Sequence, residues 1–250
     1  MKEIHLFYSP DIEETLSLPD EEAAHAIRVL RMGVGDEIKV TDGRGKLFSA
    51  NIVSCNKKSC QIEINERTEV ELSWYSGVHL AVAPTKMMDR MEWMTEKCTE
   101  IGFDSLTFLD STNSDRRVIK TERINKTAIS AMKQSHKAFK PEIHDITAFK
   151  SFINQQFDGD KFIAHCYGNG SGSLISEGGS TPSPFLYDVV SPDVPSLVLI
   201  GPEGDFTLEE VEFANKAGFR SVSLGESRLR TETAGVAAVF MMWMKKRISQ

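Results

Sequence analysis

The 250-residue sequence has no CxxC pair among its four cysteines, Cys55, Cys60, Cys98 and Cys166. The six histidines are scattered. Neither a zinc cluster nor a disulfide framework is expected, and a chain that is 40% hydrophobic builds a core without such staples. This cysteine usage points to a reduced, cytoplasmic protein with no resident metal. Long apolar runs are also missing. Val236 to Met244 is the most apolar stretch, about half of what a bilayer-spanning helix needs. The opening MKEIHLFYSPDIEE turns acidic where a secretory leader is apolar, so no membrane attachment is expected.

A surplus of positive charge is lacking too, since the formal net charge is -7. Taken as a total, that argues against a phosphate-rich partner, but binding to nucleic acid depends on where the cations cluster. Between Arg28 and Lys58 seven Lys or Arg face three acids, and between Ser111 and Lys140 eight face two. Basic runs are commonly just solvated faces, yet two of them on an acidic chain favour an RNA or DNA partner.

After a short helix expected around Asp20 to Arg31, the segment from Asp36 to Glu69 reads as three strands, EIKVTD, LFSANIVSC and CQIEINE. Turns at Asp42-Gly43-Arg44-Gly45 and Asn56-Lys57-Lys58 separate them. Gly33-Val34-Gly35 is no dinucleotide fingerprint, because a strand follows it where a helix is required. From Val78 strands alternate with helices. A first helix carries Met87, Met91, Met94, Cys98 and Ile101 at spacings of four and three, which is a buried face. A second begins near Thr121, with Ile124, Ala128, Ala131 and Met132 inward. A strand is expected over Lys161 to Tyr167. The Gly/Ser/Pro-rich stretch that follows, 168–184, reads as a long loop. Ser196 to Ile200 is a wholly apolar strand, Thr207 with Glu210 makes a capping box, and Ser221 to Leu224 is a further strand. Thr231 or Thr233 caps a last helix whose final turn carries Lys245, Lys246 and Arg247, complementary to its dipole. Such alternation implies a parallel sheet covered by helices, with ligands at the carboxyl ends of the strands, and by itself suggests an open doubly wound sheet.

Chemistry concentrates in two loops near the end of the chain. Gly201-Pro202-Glu203-Gly204-Asp205 lets backbone approach a ligand, or is simply a strand-to-helix turn. Leu224-Gly225-Glu226-Ser227-Arg228-Leu229-Arg230-Thr231-Glu232-Thr233 places Arg230 and Glu232 just before an apolar helix, where such charges need partners.

These residues carry a family resemblance. LVLIGPEGDFTLEE followed by GFRSVSLGESRLRTETAGVAA resembles the RsmE family of ribosomal RNA uridine N3-methyltransferases, of the SPOUT class. HAIRVLRMGVGDEI, the EKCTEIGF helix, STNSDRR and MKQSHKAFKPEI extend the likeness over nearly the whole chain. The resemblance implies a small PUA-like RNA-binding β-barrel over 1–72, then a SPOUT methyltransferase domain over 73–250. The latter is an α/β knot: a parallel sheet with helices on both faces and a deep C-terminal trefoil knot. It implies a homodimer acting on 16S ribosomal RNA or the small ribosomal subunit, with S-adenosyl-L-methionine as cofactor. Ile200, Gly201, Pro202, Glu203 and Gly204 would form one wall of the cofactor pocket, and Leu224, Gly225, Leu229, Arg230, Thr231 and Glu232 the other. Two positions depart from the family pattern: Asp205 stands where a further glycine is common, and Lys137 where QSxR has arginine.

Methyl transfer to uracil N3 leaves negative charge on the flanking carbonyls. Arg230 would stabilise it, and Glu232 would orient Arg230 or accept the proton. The competing role of the two is a salt bridge tying loop to helix. Arg28, Arg31, Arg116, Arg117, Lys133 and Lys137 are the candidate RNA contacts. The alternatives are a SPOUT enzyme acting on another ribosomal or transfer RNA nucleotide, a non-enzymatic ribosome-assembly factor that keeps the fold, and an open-sheet methyltransferase. The last expects its glycine loop after an early strand, and here the glycine loops come late.

Overall fold

A computed structural model of the protein describes residues 5–56, 59–71, 77–167 and 183–248. The loop expected over 168–184 lies outside them except for its last two residues. The chain forms two compact units, Met1–Ser73 with Ile129–Lys140, and Trp74–Ala128 with Pro141–Gln250.

The first unit contains β1 (Leu6–Tyr8), α1 (Ile12–Thr15), β2 (Ser17–Leu18), α2 (Asp20–Ala24), β3 (Glu37–Thr41), β4 (Lys46–Cys55) and β5 (Cys60–Glu69). Its sheet runs β1-β3-β4-β5-β2 and curls around Phe7, Ile12, Leu18, Ile38, Val40, Phe48, Ala50, Ile52 and Ile62. The β3–β4 hairpin turns where the sequence places Asp42. Its Oδ1 accepts from Arg44 N at 2.8 Å and Lys46 N at 3.0 Å, an Asx-type closure. Onto this turn docks the segment 138–140. Thr41 Oγ1 and Gly45 N donate to the Ala138 carbonyl, and Lys140 N donates to that of Gly43. That is why residues after 129 return to a unit otherwise made by the first seventy-three. The helix expected over Asp20 to Arg31 is split. After Ala24 the chain widens into a π-helical turn, His25–Val29, closed by Leu30 N on the His25 carbonyl, and Arg31 then takes φ +55°.

The second unit contains β6 (Val78–Val82), α3 (Met88–Ile101), β7 (Ser105–Asp110), the start of α4 (Thr121–Gln134, which belongs to the first unit from Ile129 on), β8 (Glu142–Ala148), α5 (Phe149–Ile153) and β9 (Asp160–Ala164). After these come α6 (Leu186–Val189), β10 (Ser196–Ile200), α7 (Leu208–Lys216), β11 (Arg220–Val222) and α8 (Thr231–Ile248). The sheet order is β11-β9-β10-β6-β7-β8, every pair parallel. Alternate residues of each strand face opposite sides. Val78, Leu80, Val82, Val198 and Ile200 meet α3 and α8 on one face; Ala81, Leu197, Leu199 and Ile163 meet α5 and α7 on the other.

The stripe on α3 buries Met91, Met94 and Cys98 completely, whereas Met87, expected to share it, is 53% exposed, because the helix begins one residue later. α8 packs on α3 at Gly235, where a Cβ would stand 2.6 Å from Met94 Sδ, so glycine is what permits the approach. Lys246, in the last turn of α8, is one of the three cations that complement the helix dipole. It is buried, with its ammonium on the Val194 carbonyl and its pKa lowered by that burial. Among the described residues no helix is long and apolar enough to cross a membrane.

Candidate functional site

β11, β9 and β10 are adjacent and parallel, so the segments that follow them leave the same edge of the sheet. His165–Tyr167 follows β9, Gly201–Thr207 follows β10, and Ser223–Arg230 follows β11. Together with the first turn of α8 they enclose a cavity of about 620 Å³, a size that suits a small-molecule ligand. Every cofactor contact expected from the sequence lines it except Glu232.

The two glycine loops are tied to each other. Thr231 Oγ1 donates to the Gly201 carbonyl at 3.0 Å, with both groups buried. The residue expected as a helix cap therefore cross-links the cavity walls. At Gly201 a Cβ would meet Phe206 N at 3.0 Å, a tight contact that glycine avoids. At Gly225 φ is +129°, a backbone conformation that favours glycine, and nothing lies within 4 Å of where a Cβ would stand.

Asp205 has φ +63°, in the left-handed region that glycine adopts without penalty. Its carboxylate compensates locally, accepting from Phe206 N at 2.8 Å and Cys166 N at 2.9 Å. The second of these bonds joins the β10 loop to the β9 loop. From the other side, Asn113 Nδ2 donates to the Asp205 carbonyl at 3.0 Å, and Thr112 donates to Glu210 Oε1 from both its backbone N and its hydroxyl. Glu210 also completes the capping box with Thr207 at the start of α7. The β10 loop is held on three sides before any ligand arrives.

The cavity wall also contains residues that the sequence does not single out, among them the segment after β9. His165, Cys166 and Tyr167 were read as the end of a strand, but β9 stops at Ala164. Burial lowers the His165 pKa; burial, then the Asp205 charge, raises that of Cys166. Arg90, on the first turn of α3, is another addition to the cavity wall.

The expected contact between Arg230 and Glu232 is not what the structure forms. Arg230 is exposed at the cavity. Glu232 is buried, 3.7 Å by its Oε1 from Arg90 Nε, and its Oε2 has no hydrogen-bond partner among the described residues. The candidate RNA contacts differ from one another. In the first unit Arg28 and Arg31 are exposed, Lys133 is engaged by Glu22, and Lys137 is partly buried with its pKa lowered by desolvation. In the second, Arg117 pairs with Asp110 at 3.1 Å and Arg116 donates to the Lys86 carbonyl at 2.7 Å.

A family model described as an RNA methyltransferase domain matches residues 73–243, and one described as an RNA methyltransferase PUA domain matches 18–65. A relative from Bacillus subtilis, named ribosomal RNA small subunit methyltransferase E, is 29% identical over 244 residues, covering 91% of this chain and 90% of its own. The crystal structure of a probable rRNA-methyltransferase from Porphyromonas gingivalis superposes with a TM-score of 0.88 at 42% identity, covering 99% of this chain and 100% of that one. That of a ribosomal RNA small subunit methyltransferase E from Neisseria gonorrhoeae bound to S-adenosyl methionine gives 0.78 at 25%, covering 97% and 98%. A parallel sheet with a cavity at one carboxyl edge suits many enzymes, but the whole-chain match to both RNA methyltransferase domains narrows the choice to one: the chain belongs to the RsmE family of RNA methyltransferases, with their SPOUT-type α/β-knot fold.

Proposed function

We propose that the protein methylates N3 of a specific uridine in 16S ribosomal RNA, within the cytoplasm, using S-adenosyl-L-methionine. The observation that carries this is the cavity itself, built from the backbone of two cross-linked glycine loops in a chain whose relatives are ribosomal RNA methyltransferases. The residues present fit the cofactor. Ile200, Leu224, Leu229, Ala164 and Ala234 offer an apolar bed for a purine, and exposed backbone groups of both loops offer partners for its edge.

When bound, the cofactor supplies an electrophilic methyl group on a sulfonium. The protein's part is to hold a nucleophile in line with it, a kind of positioning that supplies up to about 7 to 11 kcal/mol. Segments 200–204 and 224–231 fix the donor, and the exposed Arg230 faces the incoming RNA. Arg28 and Arg31 supply freely exposed charge for phosphates. Lys133, Lys137, Arg116 and Arg117 are already engaged or half-buried and act there only after exchanging partners. We read the enzyme as a homodimer. α8 presents Phe240, 45% exposed and stacked on Trp243 at 6.0 Å, whose Nε1 is buried without a hydrogen bond among the described residues.

Mass spectrometry of 16S ribosomal RNA from cells lacking the gene tests the reading. Loss of one 3-methyluridine is expected, and its persistence rejects the assignment.

A further inference from the structure

Arg90 lines the cavity beside the first turn of α8. Its nearest approach to Glu232, Nε to Oε1, is 3.7 Å, too long for a hydrogen bond. Its side chain is 32% exposed against 10% for the glutamate. The terminal nitrogens of the guanidinium form no hydrogen bond with another described residue. Glu232 Oε2, in turn, is buried with no partner among them. A buried carboxylate half satisfied and an arginine with free donors toward a cavity make an incomplete polar network, and completing one is favourable in proportion to its burial. The frame under the pair is stiff, since α3 and α8 touch through Met94 and Gly235 one turn further along.

Taking the uridine-N3 reading as its starting point, we propose that Arg90 is the group that meets the carbonyl edge of the target uracil, with Glu232 as the positioning residue that aims it. Uracil N3 is flanked by two carbonyls. In the reaction the N3–H bond breaks and its proton passes to water. The N3–C bond forms to the methyl group, and the C–S bond breaks with its electron pair returning to sulfur. The charge left by the proton resides on O2 and O4, where the terminal nitrogens of Arg90 donate. That bond strengthens as the charge develops, so it stabilises the transition state more than the bound neutral base. Arg230 is less suited to this part, being exposed and paired with no buried carboxylate among the described residues.

The other charges around the cavity are Glu203, Asp205 and Glu226 with Arg228 and Arg230. On α3 itself, Asp89 and Glu92 are held by Arg123 of α4. Burial lowers the His165 pKa and raises that of Cys166, so both shift away from the middle of the test window.

The test is steady-state methylation of small ribosomal subunits that lack the modification, with S-adenosylmethionine as donor, between about pH 7 and about pH 9. Arg90→Ala is expected to lower kcat about a hundredfold at neutral pH, as loss of a donor to a developing oxyanion does. The deficit should narrow as pH rises, because the base then ionises without help. Arg90→Lys should restore part of the loss, Glu232→Gln should fall in the same sense by a smaller factor, and cofactor affinity by calorimetry should be unchanged. If the alanine variant does not fold, Arg90→Gln, which keeps the stem, carries the same comparison. A wild-type kcat in these variants, or a deficit of equal size at every pH, overturns the role of Arg90 while leaving the uridine reading intact. Absence of 3-methyluridine from the wild-type reaction overturns both.

Discussion

Asp205 shows how a single side chain replaces a glycine at a conformation glycine prefers. The left-handed backbone costs a non-glycine residue roughly 1–2 kcal/mol, and two backbone bonds to the carboxylate, each worth about 1 kcal/mol, offset it. Asp205→Gly should therefore stay within about 1 kcal/mol of wild type in urea unfolding, whereas Asp205→Ala keeps the strain, loses both bonds and should fall by about 2 kcal/mol. Equal effects of the two would contradict this account. Beside it, His165 has a pKa lowered by burial. The unfolded chain then takes up its proton first as pH falls. The stability His165 contributes is full above about pH 6.5, its unfolded value, and is lost as pH drops through the depressed folded value. His79, lowered by burial as well, acts in the same sense, while Asp104, raised by burial, acts in the opposite one. Urea midpoints should decline on acidification below about pH 6.5, and His165→Gln should flatten the decline. A slope identical to wild type in that variant would count against it.

Among the elements, α3 and α8 define the cavity's floor by how closely they pack. Adding a methyl at Gly235 drives it into Met94. Gly235→Ala should destabilise by about 1–3 kcal/mol, and much less when introduced beside Met94→Ala; an additive double-mutant cycle would rule out the contact as the cause. α3 and α4 were readable in the sequence because Met91, Met94 and Cys98 on the first, and Ile124, Ala128 and Met132 on the second, recur with the helical period. β1 and β2, three and two residues long, are too short to show any period, and nothing local signals the π-helical turn that splits Asp20 to Arg31. The same holds at the cavity. The two glycine loops stood out because each lies between an apolar strand and a helix start. The wall formed by His165–Tyr167 is fixed by Asp205, and Arg90 by Glu232, and such long-range partners leave no trace in spacing.

For the whole molecule, a net charge of -7 coexists with exposed cations at Arg28 and Arg31, so recognition of RNA depends on placement rather than total charge. If both arginines neutralise phosphates, affinity for 16S ribosomal RNA should fall steeply with salt, and replacing both by alanine should flatten the log–log slope by about two. An unchanged slope would remove them from the interface. The bond from Thr231 to the Gly201 carbonyl bears on when this enzyme comes to exist. During synthesis every strand of the parallel sheet has been made before Thr231 emerges, yet Ala234, Ala238, Val239 and Met242 of α8 are still missing from one face of it. A growing chain at that point has a greasy, half-clad sheet and a pocket without its last wall. The proposed modifier of ribosomal RNA thus stays inert on the ribosome that is making it, and its activity begins only once α8 has cleared the exit tunnel.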